Sequence, residues 1–156
     1  MKLRTISRVK NLKGKRVLMR VDYNVPLTRS YTIADDARIR QSLPTVRHLI
    51  EHGATVILMS HLGRPEGTVD TRFTLKTVAK RLERHIRTPV QLIPDYWKDD
   101  ALHRVERLKP GAVAMLENTR FHPGETQNDD TLAAHVARMG DIYVDDAFGV
   151  AHRAHM

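Results

Sequence analysis

Arg64, Arg120 and Arg153 each stand a few residues beyond a short apolar run, and Asp22, Asn24 and His61 occupy the same kind of position. Arginine presents a planar fork that binds phosphate or carboxylate oxygens in pairs, and histidine adds a donor whose charge follows pH. Asp22 and Asn24 do not hold an anion by charge; they accept from and donate to a hydroxyl. Together these side chains describe a small acidic, phosphorylated molecule that carries at least one OH. A single arginine is ordinarily a solvated or ion-paired side chain. Six residues spread over four loops, all following apolar runs and none preceding them, are a different matter.

The apolar runs that position them are Arg16–Val21, Thr55–Met59, Val90–Ile93, 112–116 and 142–144. Each is short, apolar at both odd and even positions, and bounded by Gly, Pro or Asp, as befits strands buried on two faces. Helical periodicity fills the gaps. Leu75, Val78, Ala79, Leu82 and Ile86 form one stripe over 74–86, with Thr74 as the expected N-cap. Leu132, Val136 and Met139 form another over 128–139, with Asp129 and Asp130 in the first turn and Gly140 as a C-terminal stop. A third stripe runs from Ile39 to Ile50 before Gly53; Pro44 predicts a short first turn and then a helix with the proline near its start. Residues 100–108 give a weaker fourth.

Five strands alternating with four helices predict an α/β fold, a Rossmann-like parallel sheet flanked by helices in a single three-layer αβα domain. Such sheets bind ligands outside the carboxyl ends of their strands. Those ends carry Asp22 to Pro26, Ser60 to Pro65, Glu117 to Phe121 and Asp145 to Arg153, which is where the cationic and hydrogen-bonding side chains lie.

Composition narrows the partners. With 156 residues, 41% apolar and 28% charged, the chain is of ordinary globular type. It has no apolar stretch near 18 residues and no apolar core in its first residues that would mark a signal peptide. No membrane partner and a cytoplasmic location are therefore expected, and the absence of cysteine removes disulfides and thiolate metal sites. The net charge of +8, with 18 Arg to 8 Lys, raises the question of a nucleic-acid partner. Only 5% of residues are aromatic, and no recognition motif of the RNA-binding folds occurs, so no nucleic acid is expected.

Several motifs are better resisted. His48-Leu-Ile-Glu51-His52 fits an H-x-x-E-H zinc pattern, but histidines just before Gly53 also suit a helix C-terminus. Asp145 and Asp146 read as turn residues bonding backbone amides, and His152 and His155 have no further ligand spacing. No metal site is expected.

In order along the chain, V-D-Y-N-V-P, A-D-D-A-R-I-R-Q-S-L-P-T, S-H-L-G-R-P-E-G, L-E-N-T-R-F-H-P-G-E and D-A-F-G-V-A-H-R-A-H resemble the amino-terminal domain of phosphoglycerate kinases over essentially all of residues 1–156. That family transfers a phosphoryl group between ATP and 3-phosphoglycerate, giving ADP and 1,3-bisphosphoglycerate in glycolysis. The resemblance implies that Asp22 and Asn24 meet the glycerate hydroxyl and carboxylate region. His61, Arg64, Arg120 and Arg153 would surround the phosphate. Arg38 enters through the resemblance alone, as the catalytic arginine that neutralises charge on the transferring phosphoryl group.

It also implies partners: 3-phosphoglycerate or 1,3-bisphosphoglycerate, and a carboxyl-terminal nucleotide domain, expected to be missing, that would hold Mg-ATP or Mg-ADP. Neither G-x-G-x-x-G nor G-x-x-x-x-G-K-[ST] occurs, so no cofactor is expected in this chain. It should be inactive alone and should self-associate through the uncovered inter-domain face. Two readings from other classes are a stand-alone anion-binding module and a nonspecific basic nucleic-acid binder. Where the family usually has a glycine before A-D-D, this chain has T-R-S-Y-T-I.

Overall fold

In the computed structural model, which describes residues 5–147, the apolar runs pair into one parallel sheet. Its strands are β1 (Arg16–Val21), β2 (Thr55–Met59), β3 (Val90–Ile93), β4 (Val113–Leu116) and β5 (Ile142–Asp146), in the order β3-β4-β2-β1-β5. Register places Val17 beside Val56 and Ile142, and Val56 beside Val113. All strands therefore point their carboxyl ends the same way.

The helices are α1 (Ala37–Glu51), α2 (Lys76–Ile86), α3 (Asp99–Glu106) and α4 (Asp130–Ala137). Alternation along each strand sends side chains to two separate cores. Val17, Met19, Val56, Leu58, Val113 and Met115 pack against α1 and α2 through Ile39, Val46, Leu49, Val78 and Leu82. Leu18, Ile57, Met59, Ala114 and Leu116 pack against α3 and α4 through Leu102, Val105, Leu132 and Val136. Each fully buried Leu, Ile or Val contributes about 1.5–3 kcal/mol of transfer free energy. The result is the three-layer αβα, Rossmann-like arrangement that the two-parity runs predict.

Local details differ from the sequence expectations. Pro44 lies inside α1, which runs unbroken from Ala37 to Glu51. Its side chain is exposed, so the ring faces solvent while Ile39, Leu43, Val46 and Leu49 hold the helix on the sheet. The N-cap of α2 is Leu75, not Thr74; the Thr74 hydroxyl instead donates to Glu117 Oε2 over 2.7 Å and accepts from the Lys76 amide. Glu117 also takes the Leu75 amide over 2.7 Å, so the carboxylate after β4 satisfies the start of α2.

Gly140 is not a left-handed helix stop, since its φ is not positive. It is small because a Cβ there would sit 2.8 Å from Leu18 Cβ and 3.0 Å from the Leu18 backbone nitrogen. In the turn without the usual glycine, Tyr31 itself takes the left-handed conformation at φ 59°. The strand-like bridge of Leu27 to Ile33 closes across it, and Tyr31 packs edge-on against Phe73 at 5.9 Å.

Asp36, at the N-cap of α1, ties this helix to α2. Its carboxylate accepts from Arg81 Nη1, His85 Nε2 and Arg40 Nε, each at 2.9 Å. Those bonds, with His85 first and Arg81 next, hold the Asp36 carboxyl well below the ordinary aspartate range.

Candidate functional site

The loop after β1 turns sharply over a buried anchor. Tyr23 is fully buried, its hydroxyl bonded to Ser42 Oγ on α1 at 2.6 Å and its amide donating to Ser60 Oγ after β2 at 2.9 Å. Burial pushes the Tyr23 hydroxyl far up from its ordinary range, so it stays neutral. With Tyr23 pinned inward, its neighbours Asp22 and Asn24 are half-exposed on the outer side. Asp22 Oδ2 pairs closely with Arg38 Nη1 in the first turn of α1. Asn24 and Arg38 line a cleft of about 520 Å³ together with Val25, Pro26, Asp35 and Ala37.

The loops after β2 and β4 are bound to each other by one side chain. Asn118, fully buried, donates through Nδ2 to Leu62 O at 2.7 Å and to Phe73 O at 2.9 Å. Its Oδ1 accepts from the amides of Leu62 at 3.3 Å and Arg120 at 3.1 Å. Between the two clefts lies Gly63. Its N–H donates to Asn24 Oδ1 at 2.9 Å and its carbonyl accepts from Arg120 Nη1 at 3.3 Å. With φ +63° and only 2.4 Å between a would-be Cβ and the Phe73 ring, this position admits glycine alone without rearrangement.

Arg64 and Arg120 line the second cleft, of about 380 Å³, with Glu66, Pro123, Thr126 and Gln127. Arg64 is exposed and has no hydrogen bond or ion pair among the described residues, so its guanidinium is available to an incoming anion. Arg120 is different. Its side chain is only 11% exposed, and Nε lies 3.5 Å from Oε2 of Glu125. His61 is buried and lines a narrow recess with Arg20, Ser60 and Thr119.

The structure thus gathers Asp22, Asn24 and Arg38 on one side of Gly63, and Arg64 and Arg120 on the other, with His61 in a separate buried recess. Arg153, His152 and His155 lie outside the described residues. Asp145 and Asp146 are not in a turn, as their sequence position suggested, but complete β5. Asp145 Oδ1 still takes the Ala147 amide at 3.1 Å, and burial followed by the Asp145 charge raises the Asp146 carboxyl above its ordinary value. His52 Nδ1 donates to the His48 carbonyl at 2.7 Å, which is helix-end bonding. Among the described residues no cluster of three or more metal-ligating side chains occurs.

Two residues of this region escape the sequence reading. Glu125 gave no signal beyond its place in P-G-E. Arg20 did carry one: a charge flanked by apolar residues inside β1, away from the Arg16 that opens the strand. Its Nη2 lies 3.9 Å from Glu125 Oε1.

Residues 6–156 match the profile of the family described as Phosphoglycerate kinase. The chain belongs to the phosphoglycerate kinase family. Among curated relatives, the phosphoglycerate kinase of Chlorobaculum tepidum is 50% identical over 155 residues, covering 99% of this chain and 39% of its own length. That of Aquifex aeolicus is 52% identical over 145 residues, covering 93% and 36%. The solved phosphoglycerate kinase of Coxiella burnetii superposes with a TM-score of 0.85 at 40% identity over 96% of this chain and 36% of that one. The chain therefore spans a little over a third of the length of these phosphoglycerate kinases, and its α/β fold is theirs.

Proposed function

We propose that this chain is the 3-phosphoglycerate-binding part of a phosphoglycerate kinase. One observation carries the reading. Arg64, without a partner among the described residues, shares a cleft with Arg120, and Gly63 links that cleft to Asn24 beside Arg38. An anion held between Arg64 and Arg120 would place a short hydroxy acid across Gly63 within reach of Asn24 and Asp22. The separation of two anionic ends by a hydroxyl-bearing carbon suits that spacing of cations and neutral hydrogen-bonding groups.

Within that reading Arg38 supplies charge where the phosphoryl group is transferred, and Arg153, from outside the described residues, joins Arg64 and Arg120 around the phosphate. Neutralising the oxygens of a loose, in-line transition state is how an arginine accelerates such transfer. The nucleotide and its metal ion belong, in this reading, to the carboxyl-terminal domain of the family, and among the described residues no group of three or more metal-ligating side chains occurs. In-line transfer requires both substrates in one closed site, so the 156-residue chain by itself should bind without turning over.

Calorimetric titration of the chain with 3-phosphoglycerate tests the proposal. Saturable binding is expected, weakened by Arg64→Ala and unchanged by Lys109→Ala, which lies just before the start of β4, far along the sheet from the site. Equal losses in both variants, or tighter binding to RNA with a steep salt dependence, would favour diffuse attraction to the +8 surface and defeat the proposal.

A further inference from the structure

A buried carboxylate lies under the arginines of this site. Glu125 closes the short helical turn Pro123–Glu125, and its side chain is 1% exposed. Oε2 lies 3.5 Å from Arg120 Nε, and Oε1 lies 3.9 Å from Arg20 Nη2. The two arginines come from different elements, Arg20 from β1 and Arg120 from the turn after β4, and their side chains are 12% and 11% exposed. Arg120 reaches the cleft it shares with Arg64, and Arg20 reaches the recess it shares with His61. Two guanidinium groups that each come within 4 Å of the same carboxylate in a poorly solvated place repel each other. The carboxylate between them lets both stay.

We propose that Glu125 is a positioning residue for the phosphate side of the site: its carboxylate, set between Arg20 and Arg120, fixes the Arg120 guanidinium in its cleft before any anion arrives. This rests on the reading of the cleft as the 3-phosphoglycerate site. Glu125 does not touch the ligand, and as an anion it would repel one. Its contribution is preorganisation: Arg120 is attracted at its Nε by the Glu125 charge 3.5 Å away and bonded at Nη1 to Gly63 O, so fewer side-chain conformers are lost on binding. The contacts to Glu125 are longer than good hydrogen bonds, so Glu125 acts as a charge between two cations, and removing the charge matters more than changing the shape.

The test has a ligand-free arm and a binding arm. By NMR of the unaltered chain, the Arg120 Nε–H signal should be resolved, slow to exchange with water and rigid on the nanosecond scale without ligand. A freely rotating, fast-exchanging Arg120 overturns the proposal whether or not 3-phosphoglycerate binds. In Glu125→Gln, which keeps the size and removes the charge, that signal should become mobile and the dissociation constant for 3-phosphoglycerate should rise on the order of tenfold. Glu125→Asp, which keeps the charge, should recover part of the affinity. In an Arg120→Met background the same Glu125→Gln change should cost little further, because the side chain through which it acts is gone.

An unchanged dissociation constant in folded Glu125→Gln, or the same loss with and without Arg120, defeats the inference. Absence of any 3-phosphoglycerate binding by the unaltered chain defeats the functional reading instead, leaving the ligand-free arm to decide the role of Glu125. Should Glu125→Gln fail to fold, the measurement on the unaltered chain together with Glu125→Asp decides it.

Discussion

The Gly63 amide donates to Asn24 Oδ1 at 2.9 Å, and this bond joins the loop after β2 to the loop after β1. Asn24 is thereby engaged through its side-chain carbonyl while the residue lines the cleft beside Arg38. Both loops hold their shape only while the backbone at Gly63 stays at φ +63° beside the Phe73 ring.

Gly63→Ala should therefore cost stability and binding together. A Cβ 2.4 Å from Phe73 forces the ring or the loop to move, and the left-handed backbone adds about 1–3 kcal/mol of strain. Urea unfolding should show a loss of that order, and 3-phosphoglycerate binding by calorimetry should weaken beyond what Arg64→Ala alone produces. Wild-type stability in this variant would mean that the loop relaxes freely.

Asn118→Ala removes the side chain that bonds Leu62, Phe73 and Arg120. Buried backbone groups left without partners cost about 1–3 kcal/mol each. Thermal unfolding should show a destabilisation of roughly 3 kcal/mol or more for this one substitution. A loss under about 1 kcal/mol would show that water replaces the side chain at no cost.

Much of this was legible in the sequence, and the reasons are specific. Runs such as Thr-Val-Ile-Leu-Met at 55–59 are apolar at both odd and even positions because β2 is buried on both faces, and that pattern fixes both the sheet and the end where ligands bind. Asp22, Asn24, His61, Arg64 and Arg120 were visible because they follow such runs. Arg38 was not, because a charged residue in the first turn of a helix looks like any solvated one; its pairing with Asp22 is a tertiary fact. Pro44 misleads because propensity concerns the missing backbone donor, whereas the buried Ile39, Leu43, Val46 and Leu49 decide whether the helix continues. Glu125 was invisible because burial of a short loop acid between two arginines has no sequence signature.

Acid should loosen the junction of α1 and α2. The folded Asp36 carboxyl is depressed, chiefly by His85 and then Arg81, from an ordinary value of 3.8. A depressed acid stabilises the folded state fully above the unfolded value and loses that contribution as pH falls through 3.8 toward the lower folded value. In acid-unfolding curves Asp36→Asn should be less stable than wild type near neutrality, with the gap closing below about pH 4. A gap that stays constant with pH would assign the effect to packing.

Asp22 should discriminate a hydroxyl. Asp22→Asn keeps the size but removes a strong acceptor and the partner of Arg38. Its affinity for 3-phosphoglycerate should fall by roughly tenfold to 150-fold, matching about 1.5–3 kcal/mol for a hydrogen bond to a charged group. Against 3-phosphooxypropanoate, which lacks only the 2-hydroxyl, the loss should be much smaller. Equal losses for both ligands would mean that Asp22 acts through Arg38 instead of reading the OH.

The strand order has a consequence for when the site comes into being. Successive strands lie side by side as β1 with β2 and as β3 with β4, and the β2–β4 ladder is the seam that joins these two halves. Asn118 and Leu62, 56 residues apart, sit directly above that seam. Neither half alone can assemble the loops that bring Arg64 and Arg120 to one cleft, and a chain opening along the seam loses its binding surface while both halves keep their own strand pairs. Hydrogen exchange at the Leu62 and Arg120 amides would then report the docking of the two halves, not the melting of either.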